Sequence, residues 1–334
     1  VSVKPARPAT RTDVARLAGV STTVVSYVIN DGPRRVTSRT RQRVLDAIER
    51  LGYRPNANAR ALKTGETGLI GMVVPEVVNA YFAEFIQALD RAAQTMGSSI
   101  LLGITYEEAG REERAVRSLV DRGVDSLIYQ VDLADQRLYQ LGGGDLPRVL
   151  LDRSDVVPGM ATVGADTEAG ARAAVEHLVS HGHERIGYVG SPMAGRKVDL
   201  RRVVWDEVLR EHGLPGVPPA LTSWNREGGY RGARELMASD EPPTAIFAGS
   251  DLIGVGVLRA LHELGMDVPG DVAVVSFDGT AESAYSWPPL TAVRQPFEEM
   301  ARRALEVLSE RGEAPGSSVF PMQLIVRGSC GCQG

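Results

Sequence analysis

The chain has 334 residues but only two cysteines, Cys330 and Cys332, both within its last five positions. That excludes a disulfide framework, and reduced thiols are expected. As a pair they offer two ligands with no histidine near them in sequence, so no structural zinc is expected there. No run of about 18 apolar residues occurs, so no transmembrane helix is expected. The segment Val1 to Arg11 is polar and basic with no apolar stretch behind it, so a cytoplasmic protein rather than a secreted one is expected. Catalytic signatures are also missing. Gly142-Gly143-Gly144 is not followed by Gly-Lys-Ser/Thr, and no Gly-x-Ser-x-Gly elbow occurs. Neither an enzyme nor a bound cofactor is expected.

What is present begins with length and charge. The length suggests two or three domains, and 43% hydrophobic residues can fill a sizeable core. The net charge of −5 is unevenly spread. From Val1 to Gly65 there are 13 Lys and Arg against 4 Asp and Glu, a net of +9, and the remainder carries −14. A basic head on an acidic body suggests that the head alone meets a polyanion.

Within the head, Thr10 and Asp13 have the spacing of a capping box. Val14, Ala15, Leu17 and Ala18 then form an apolar face at helical spacing, and Gly19 ends the helix. Ser21 caps a second helix holding Val24, Val25, Val28 and Ile29, which Asn30-Asp31-Gly32-Pro33 stops. Thr37 caps a third, with Val44, Leu45, Ile48 and Leu51 on its apolar face and Gly52 at its end. Two short helices joined at a glycine and buttressed by a third form a helix-turn-helix unit. Its second helix normally enters the DNA major groove. Thr22, Thr23, Ser26 and Tyr27 would face the base edges. Arg34, Arg35, Arg39, Arg41 and Arg43 would supply phosphate-directed charge, which sets affinity and register rather than sequence.

The run Asp13-Val14-Ala15-Arg16-Leu17-Ala18-Gly19-Val20-Ser21 resembles the head of the LacI/GalR repressor family. So do Val25-Ser26, Val28-Ile29-Asn30, Thr40-Arg41 and Leu51-Gly52-Tyr53-Arg54-Pro55-Asn56. The likeness runs almost without gaps over about 55 residues. It implies that Asn56 to Leu62 is the family's hinge helix, which folds on operator DNA and enters the minor groove. Leu62 would be the wedge that kinks the duplex, with Asn56 and Ala59 beside it. Tyr27 stands where many members carry arginine, so the operator cannot be inferred from a relative. The resemblance also makes His181-Gly182-His183 a structural turn rather than a metal pair.

From Gly68 onward, apolar runs alternate with amphipathic helices. Strands are expected at Leu69–Val74, Ser99–Thr105, Ser126–Val131, Arg148–Asp152, Arg185–Val189, Ala245–Ala248 and Val272–Phe277. Helices are expected at Ala80–Gly97 and Thr167–His181. Continuous apolar strands separated by helices mean parallel sheets. Two α/β lobes are expected, with ligand between them at the carboxyl ends of the strands.

The expected fold class is therefore an all-α helix-turn-helix head plus an α/β core of two parallel-sheet lobes. The resemblance, looser here but extending to Val326-Arg327-Gly328-Ser329, makes that core like the periplasmic binding proteins. The expected boundaries are a DNA-binding domain at 1–55, a hinge at 56–66 and an effector-binding, dimerising domain at 67–334. Lobe one would take about 67–164 and 294–321, and lobe two 165–293 and 322–329.

Strand ends and the family pattern nominate Asn79, Tyr81, Phe82, Asp152, Arg153, Arg201, Ser250, Asp278 and Phe297 as effector contacts. Trp205 could line either pocket or core. Asp152 or Asp278 could instead be a salt-bridged loop residue, and Arg201 could simply line a helix. Asp251 is expected as a helix N-cap. Ser250 replaces a more usual asparagine, and Val203-Val204 replace smaller residues, so the effector may not be copied from a relative. Carboxylates and arginine around an aromatic wall suit a polyhydroxylated ligand such as a sugar or sugar derivative. The expected protein is a homodimeric repressor on a pseudo-palindromic double-stranded operator. With the chain stopping soon after Ser329, no coiled-coil tail would build tetramers. Inducer release and co-repression both remain open. The rival readings are a two-lobe solute-binding protein and an α/β enzyme with a nucleic-acid-binding appendage.

Overall fold

A computed structural model describes residues 9–29, 35–54, 65–106, 108, 110–130, 141, 143, 146–152, 160–192, 199–310 and 316–332. The chain divides into two compact units, Val1–Thr67 and Gly68–Gly334.

The first unit contains α1 (Arg11–Ala18), α2 (Thr22–Ile29) and α3 (Ser38–Leu51). Each start is a side-chain cap. The Thr10 hydroxyl accepts from the Asp13 amide while Asp13 accepts from the Thr10 amide at 2.9 Å, closing the capping box. Ser21 accepts from the Val24 amide at 3.3 Å, and Thr37 from the Thr40 amide at 3.3 Å. α1 ends at Gly19, whose φ of 64° lies in the left-handed region. A Cβ at Gly19 would sit 2.8 Å from the Arg43 guanidinium. Arg43 donates to the carbonyls of Ala18 and Gly19, the latter at 3.2 Å. It therefore ties α3 to the end of α1, a use beyond the phosphate-directed role expected of it. Val14, Ala15, Ala18, Val25, Val28, Val44, Ala47 and Tyr53 form the small core. Leu17, Leu45 and Leu51, expected on the apolar faces, are exposed. Three short helices enclose only a narrow stripe, and these residues fall at its margins.

The second unit holds two six-stranded sheets. The first has the order β11-β5-β4-β3-β1-β2. Its strands are β1 (Leu69–Val74), β2 (Ser99–Ile104), β3 (Ser126–Tyr129), β4 (Arg148–Leu151), β5 (Ala161–Ala165) and β11 (Ser317–Phe320). The second has the order β12-β10-β9-β8-β6-β7. It contains β6 (Ile186–Gly190), β7 (Ala220–Leu221), β8 (Ala245–Ala248), β9 (Ala273–Asp278), β10 (Thr291–Arg294) and β12 (Gln323–Ile325). All pairings are parallel except β10 with β12, which is antiparallel. The chain thus passes from sheet to sheet three times, after β5, after β10 and after β11.

Helices cover both faces of the sheets, which is why strands such as Ala245–Ala248 are buried along their whole length. On one face of the first sheet, α4 (Ala80–Thr95) and α11 (Phe297–Ser309) enclose Met72, Phe85, Leu89 and Met300. On the other, α5 (Arg111–Asp121) covers Val73, Leu127 and Tyr129. The second sheet packs with α6 (Thr167–Ser180), α7 (Leu200–Glu211), α8 (Arg226–Met237) and α9 (Asp251–Glu263) into one larger core. The short α10 (Ala281–Tyr285) follows β9. Trp205 belongs to this core: it is buried, and its indole donates to the Ile186 carbonyl at 3.1 Å. No described helix is long and apolar enough to cross a membrane.

Candidate functional site

In the head, Thr22 and Thr23 on α2 are exposed, with Ser26 and Tyr27 partly buried. Arg35 and Arg39 are exposed before and within the first turn of α3. These positions fit base edges on one helix and phosphate contacts at the next. Arg34, Asn56, Ala59 and Leu62 lie outside the described residues.

In the second unit, polar groups gather at the carboxyl ends of strands from both sheets. Asn79 and Tyr81 follow β1, Gln130 follows β3 and Asp152 follows β4. Asp278 ends β9, and Gln295 follows β10. Asp278 accepts from the Gln295 side chain at 3.2 Å and is buried. Its φ of 103° is costly for a residue with a Cβ, and Asp152 also has a positive φ of 58°. Burial, reinforced by the neighbouring Asp251 and Asp152, holds the Asp278 carboxyl well above its ordinary range against the pull of Arg201 and Gln295. Tyr81 belongs to the same cluster. Burial, then Asp152 and Asp278, raises its hydroxyl above the ordinary value.

Arg201, in the first turn of α7, is clamped. Its Nε donates to Asp199 Oδ1 at 3.2 Å, and its guanidinium lies 4.5 Å from the Trp224 ring centroid and 5.1 Å from that of Phe277. Burial works against its charge, but Asp199, Tyr188, Asp278 and Asp152 together raise its pKa. Asp199 also caps α7 and accepts from the Tyr188 hydroxyl. The guanidinium is therefore held in place before any ligand arrives.

The nominated residues divide into two groups. Tyr81, Asp152, Arg201 and Asp278 are brought together electrically and in space. Asn79 caps α4, its Oδ1 accepting from the Tyr81 amide at 3.0 Å. Phe297 is a core residue packed 5.5 Å from Tyr81, and Phe82 packs edge-on to Tyr81 at 5.0 Å. Ser250 is fully buried and caps α9 by accepting from the Ile253 amide. Asp251, expected to cap that helix, instead accepts from Ser276 at 2.6 Å and from the Thr280 amide and hydroxyl at 2.6 and 2.7 Å. It locks the loop that presents Asp278. Arg153 lies outside the described residues.

Gln130, Gln295, Asp199 and Trp224 were not singled out from the sequence. Gln130 obeys the same strand-end rule as Asp152 and was legible by it; Gln295 follows a strand that the pattern did not reveal. The Gln295 side-chain oxygen is buried without a hydrogen-bond partner among the described residues, and the Gln130 amide and Tyr81 hydroxyl are buried beside each other without a well-formed hydrogen bond. Leaving such groups unpaired costs about 1–3 kcal/mol each, and a polar ligand would relieve that cost. A concavity of about 590 Å³ along Leu101–Ile104, with Arg111, Arg114 and Arg122, lies elsewhere on the first lobe. It contains none of these orphaned atoms, so the strand-end cluster is the stronger ligand site.

Comparison with known proteins agrees with this division. Residues 10–56 match the family described as bacterial regulatory proteins, lacI family, and residues 175–330 match a periplasmic binding protein-like domain. The HTH-type transcriptional regulator GalS of Salmonella typhimurium is 37% identical over 304 residues, covering 88% of this chain and 87% of that one. The HTH-type transcriptional repressor PurR of Aliivibrio salmonicida is 32% identical over 91% of this chain and 92% of its own. Among solved structures, a lac repressor dimer bound to operator and the anti-inducer ONPF superposes with a TM-score of 0.84 at 28% identity, covering 97% of this chain and 99% of that one. A CelR–cellobiose complex superposes with a TM-score of 0.72 at 30% identity, covering 96% and 99%. With a helix-turn-helix head, a two-lobe ligand-binding body and relatives that align along nearly the whole chain, this protein belongs to the LacI/GalR family of bacterial transcriptional regulators.

Proposed function

We propose that this regulator is a cytoplasmic homodimeric repressor whose grip on a pseudo-palindromic operator is set by a sugar or sugar derivative held between its lobes, and that it is not an enzyme. The observation that carries the ligand class is the set of buried, poorly satisfied polar atoms of Tyr81, Gln130 and Gln295 at the strand ends that also present Asp278. Neutral donors and acceptors facing the Asp278 carboxyl and a fixed guanidinium match vicinal hydroxyls, each of which donates and accepts. The CelR structure contains cellobiose, which supports the same class. On this reading Thr22, Thr23, Ser26 and Tyr27 read bases, Arg35 and Arg39 bind phosphates, and the residues from Asn56 to Leu62 form the DNA-coupled hinge.

The lac repressor in the operator complex is a dimer. Tyr285 and Trp287 here are 90% and 91% exposed, beside Val255, Leu258 and His262. Aromatic side chains so exposed in one patch suit a partner subunit.

A thermal-shift screen against sugars, nucleobases and phosphorylated metabolites tests the ligand class, because binding stabilises the folded state by mass action. Stabilisation by a sugar is expected. The same sugar should change affinity for duplex selected from a random pool and be recovered chemically unchanged. Stabilisation by nucleobases alone would overturn the sugar reading. Leu62→Ala should weaken DNA binding while leaving the thermal shift intact.

A further inference from the structure

Residues 328–332 fold against the last turn of α6, where His177 meets Cys330 and Cys332 from far along the chain and His181 lies beside Cys332. His177 and His181 lie four residues apart at the carboxyl end of α6, their ring centroids 4.7 Å from each other. Cys330 and Cys332 arrive from about 150 residues further along the chain. The Cys332 Sγ lies 3.2 Å from His181 Nε2 and 3.8 Å from His177 Nε2. The ligand atoms of His177, Cys330 and Cys332 all fall within 4.8 Å of one another. The expectation that the cysteine pair has no histidine nearby held only along the sequence; the fold supplies two.

The geometry points to a tetrahedral site for a thiophilic divalent cation of the zinc type, with Cys330, Cys332 and His177 as ligands and His181 as the fourth. Bonds of about 2.3 Å to sulfur and about 2.0 Å to nitrogen place tetrahedral neighbours about 3.3–3.8 Å apart. The two observed Cys332–histidine distances bracket that range, and the Cys330 sulfur lies within 4.8 Å of the Cys332 sulfur and a His177 ring nitrogen. Two thiolates and two imidazoles are a soft, four-coordinate set that favours zinc over magnesium or calcium.

The backbone around the site is fixed without a metal. The short 3-10 turn Gly328–Cys330 is pinned by Ser329, whose hydroxyl donates to the Val274 carbonyl at 2.5 Å and accepts from the Thr291 amide at 2.8 Å. Cys330 is buried, and its sulfur accepts from the Thr291 hydroxyl at 3.1 Å. Gly331, with φ 89°, turns the chain back so that Cys332 reaches the histidines. The cation would also sit at the carboxyl end of α6, the negative pole of the helix dipole. Each thiol gives up its proton to solvent on binding, so one cation bound to both cysteines releases up to two protons. Bound metal would staple the end of the chain to the helix that opens the second lobe, on the far side of β9 and β10 from their ligand-facing ends.

Cobalt(II) titration of the full-length protein, purified with a non-thiol reductant in metal-free buffer, tests the site. One equivalent should give the sulfur-to-cobalt charge-transfer absorption and strong visible bands of a tetrahedral thiolate complex, and zinc should displace it. Cys332→Ser and His177→Gln should each lower cobalt affinity by more than ~100-fold, beyond what loss of an outer-shell partner costs. His183→Gln, across the turn and bonded to Thr244 at 3.0 Å, should leave the spectrum unchanged. Cobalt binding without the charge-transfer band overturns the proposal. So does binding that survives Cys332→Ser, or a Cys330–Cys332 disulfide that persists in the reductant. The wild-type spectrum decides thiolate ligation whatever the variants do to folding.

Discussion

On the proposed ligand-binding reading, Gln130 trades stability for affinity. Its amide is buried beside the Tyr81 hydroxyl without a well-formed hydrogen bond among the described residues, so the ligand-free protein carries part of its desolvation cost. Gln130→Leu should raise the unfolding temperature of the ligand-free protein yet weaken ligand affinity about tenfold, the equivalent of one lost hydrogen bond of ~1.4 kcal/mol. Unchanged ligand affinity in calorimetry would mean that Gln130 merely fills the floor of the cleft. Asp251 makes a different prediction. Burial, opposed by donors from Ser276 and Thr280, raises its carboxyl from 3.8 to about 6. The folded state then holds the proton more tightly than the unfolded state, so this residue's contribution falls as pH rises from 3.8 through about 6. Asp251→Asn cannot ionise. Its melting temperature, relative to the parent, should therefore improve between pH 4 and pH 7; a relative decline would show that Asp251 is held as the carboxylate.

The elements of the head were legible because each is short and locally signalled. Thr10, Ser21 and Thr37 cap their helices as side-chain chemistry demands. Gly19 is a more stringent requirement, since it needs both a left-handed backbone and space beside Arg43. Gly19→Ala should cost about 1–2 kcal/mol and speed amide exchange in residues 11–29 by about tenfold or more. An unchanged exchange rate would show that the turn tolerates a Cβ. The strands of the body were legible where they were long and continuously apolar, as at Leu69–Val74 and Ala245–Ala248. Shorter or more polar strands escaped: β7 has two residues, and β11 and β12 are half-exposed edge strands without a clean alternation. Their pairing is decided by neighbours distant in sequence, such as Ser317 with Thr162.

For the whole molecule, the +9 of the first 65 residues against −14 in the remainder confines polyanion binding to the head. Operator affinity should therefore fall steeply and log-linearly with salt, while ligand affinity changes little. A flat salt response of DNA binding would contradict phosphate contacts by Arg35 and Arg39. If the patch around Tyr285 and Trp287 is the subunit contact, Trp287→Ser should shift sedimentation toward monomer and weaken binding to a two-half-site operator far more than to a half-site. An unaltered dimer would place the contact elsewhere. A hydrogen bond from the Ala281 amide to Glu84 at 2.7 Å joins the two lobes.

The sequence alone determined what depends on neighbours within a turn or two: the caps, the glycine stops, the two-sidedly buried strands and the family-specific pattern of the head. It also determined the charge division, which is a sum and needs no coordinates. Tertiary structure decided what depends on residues far apart in the chain. It gave Asp251 a loop to lock rather than a helix to cap, put Trp205 in the core, brought Tyr81, Asp152, Arg201 and Asp278 within electrostatic reach of one another, and set Cys330 and Cys332 beside His177, with Cys332 also against His181. Each outcome turns on which strand ends and helix termini the sheet order brings together. No local periodicity encodes that, because it is fixed by packing across more than a hundred residues of chain.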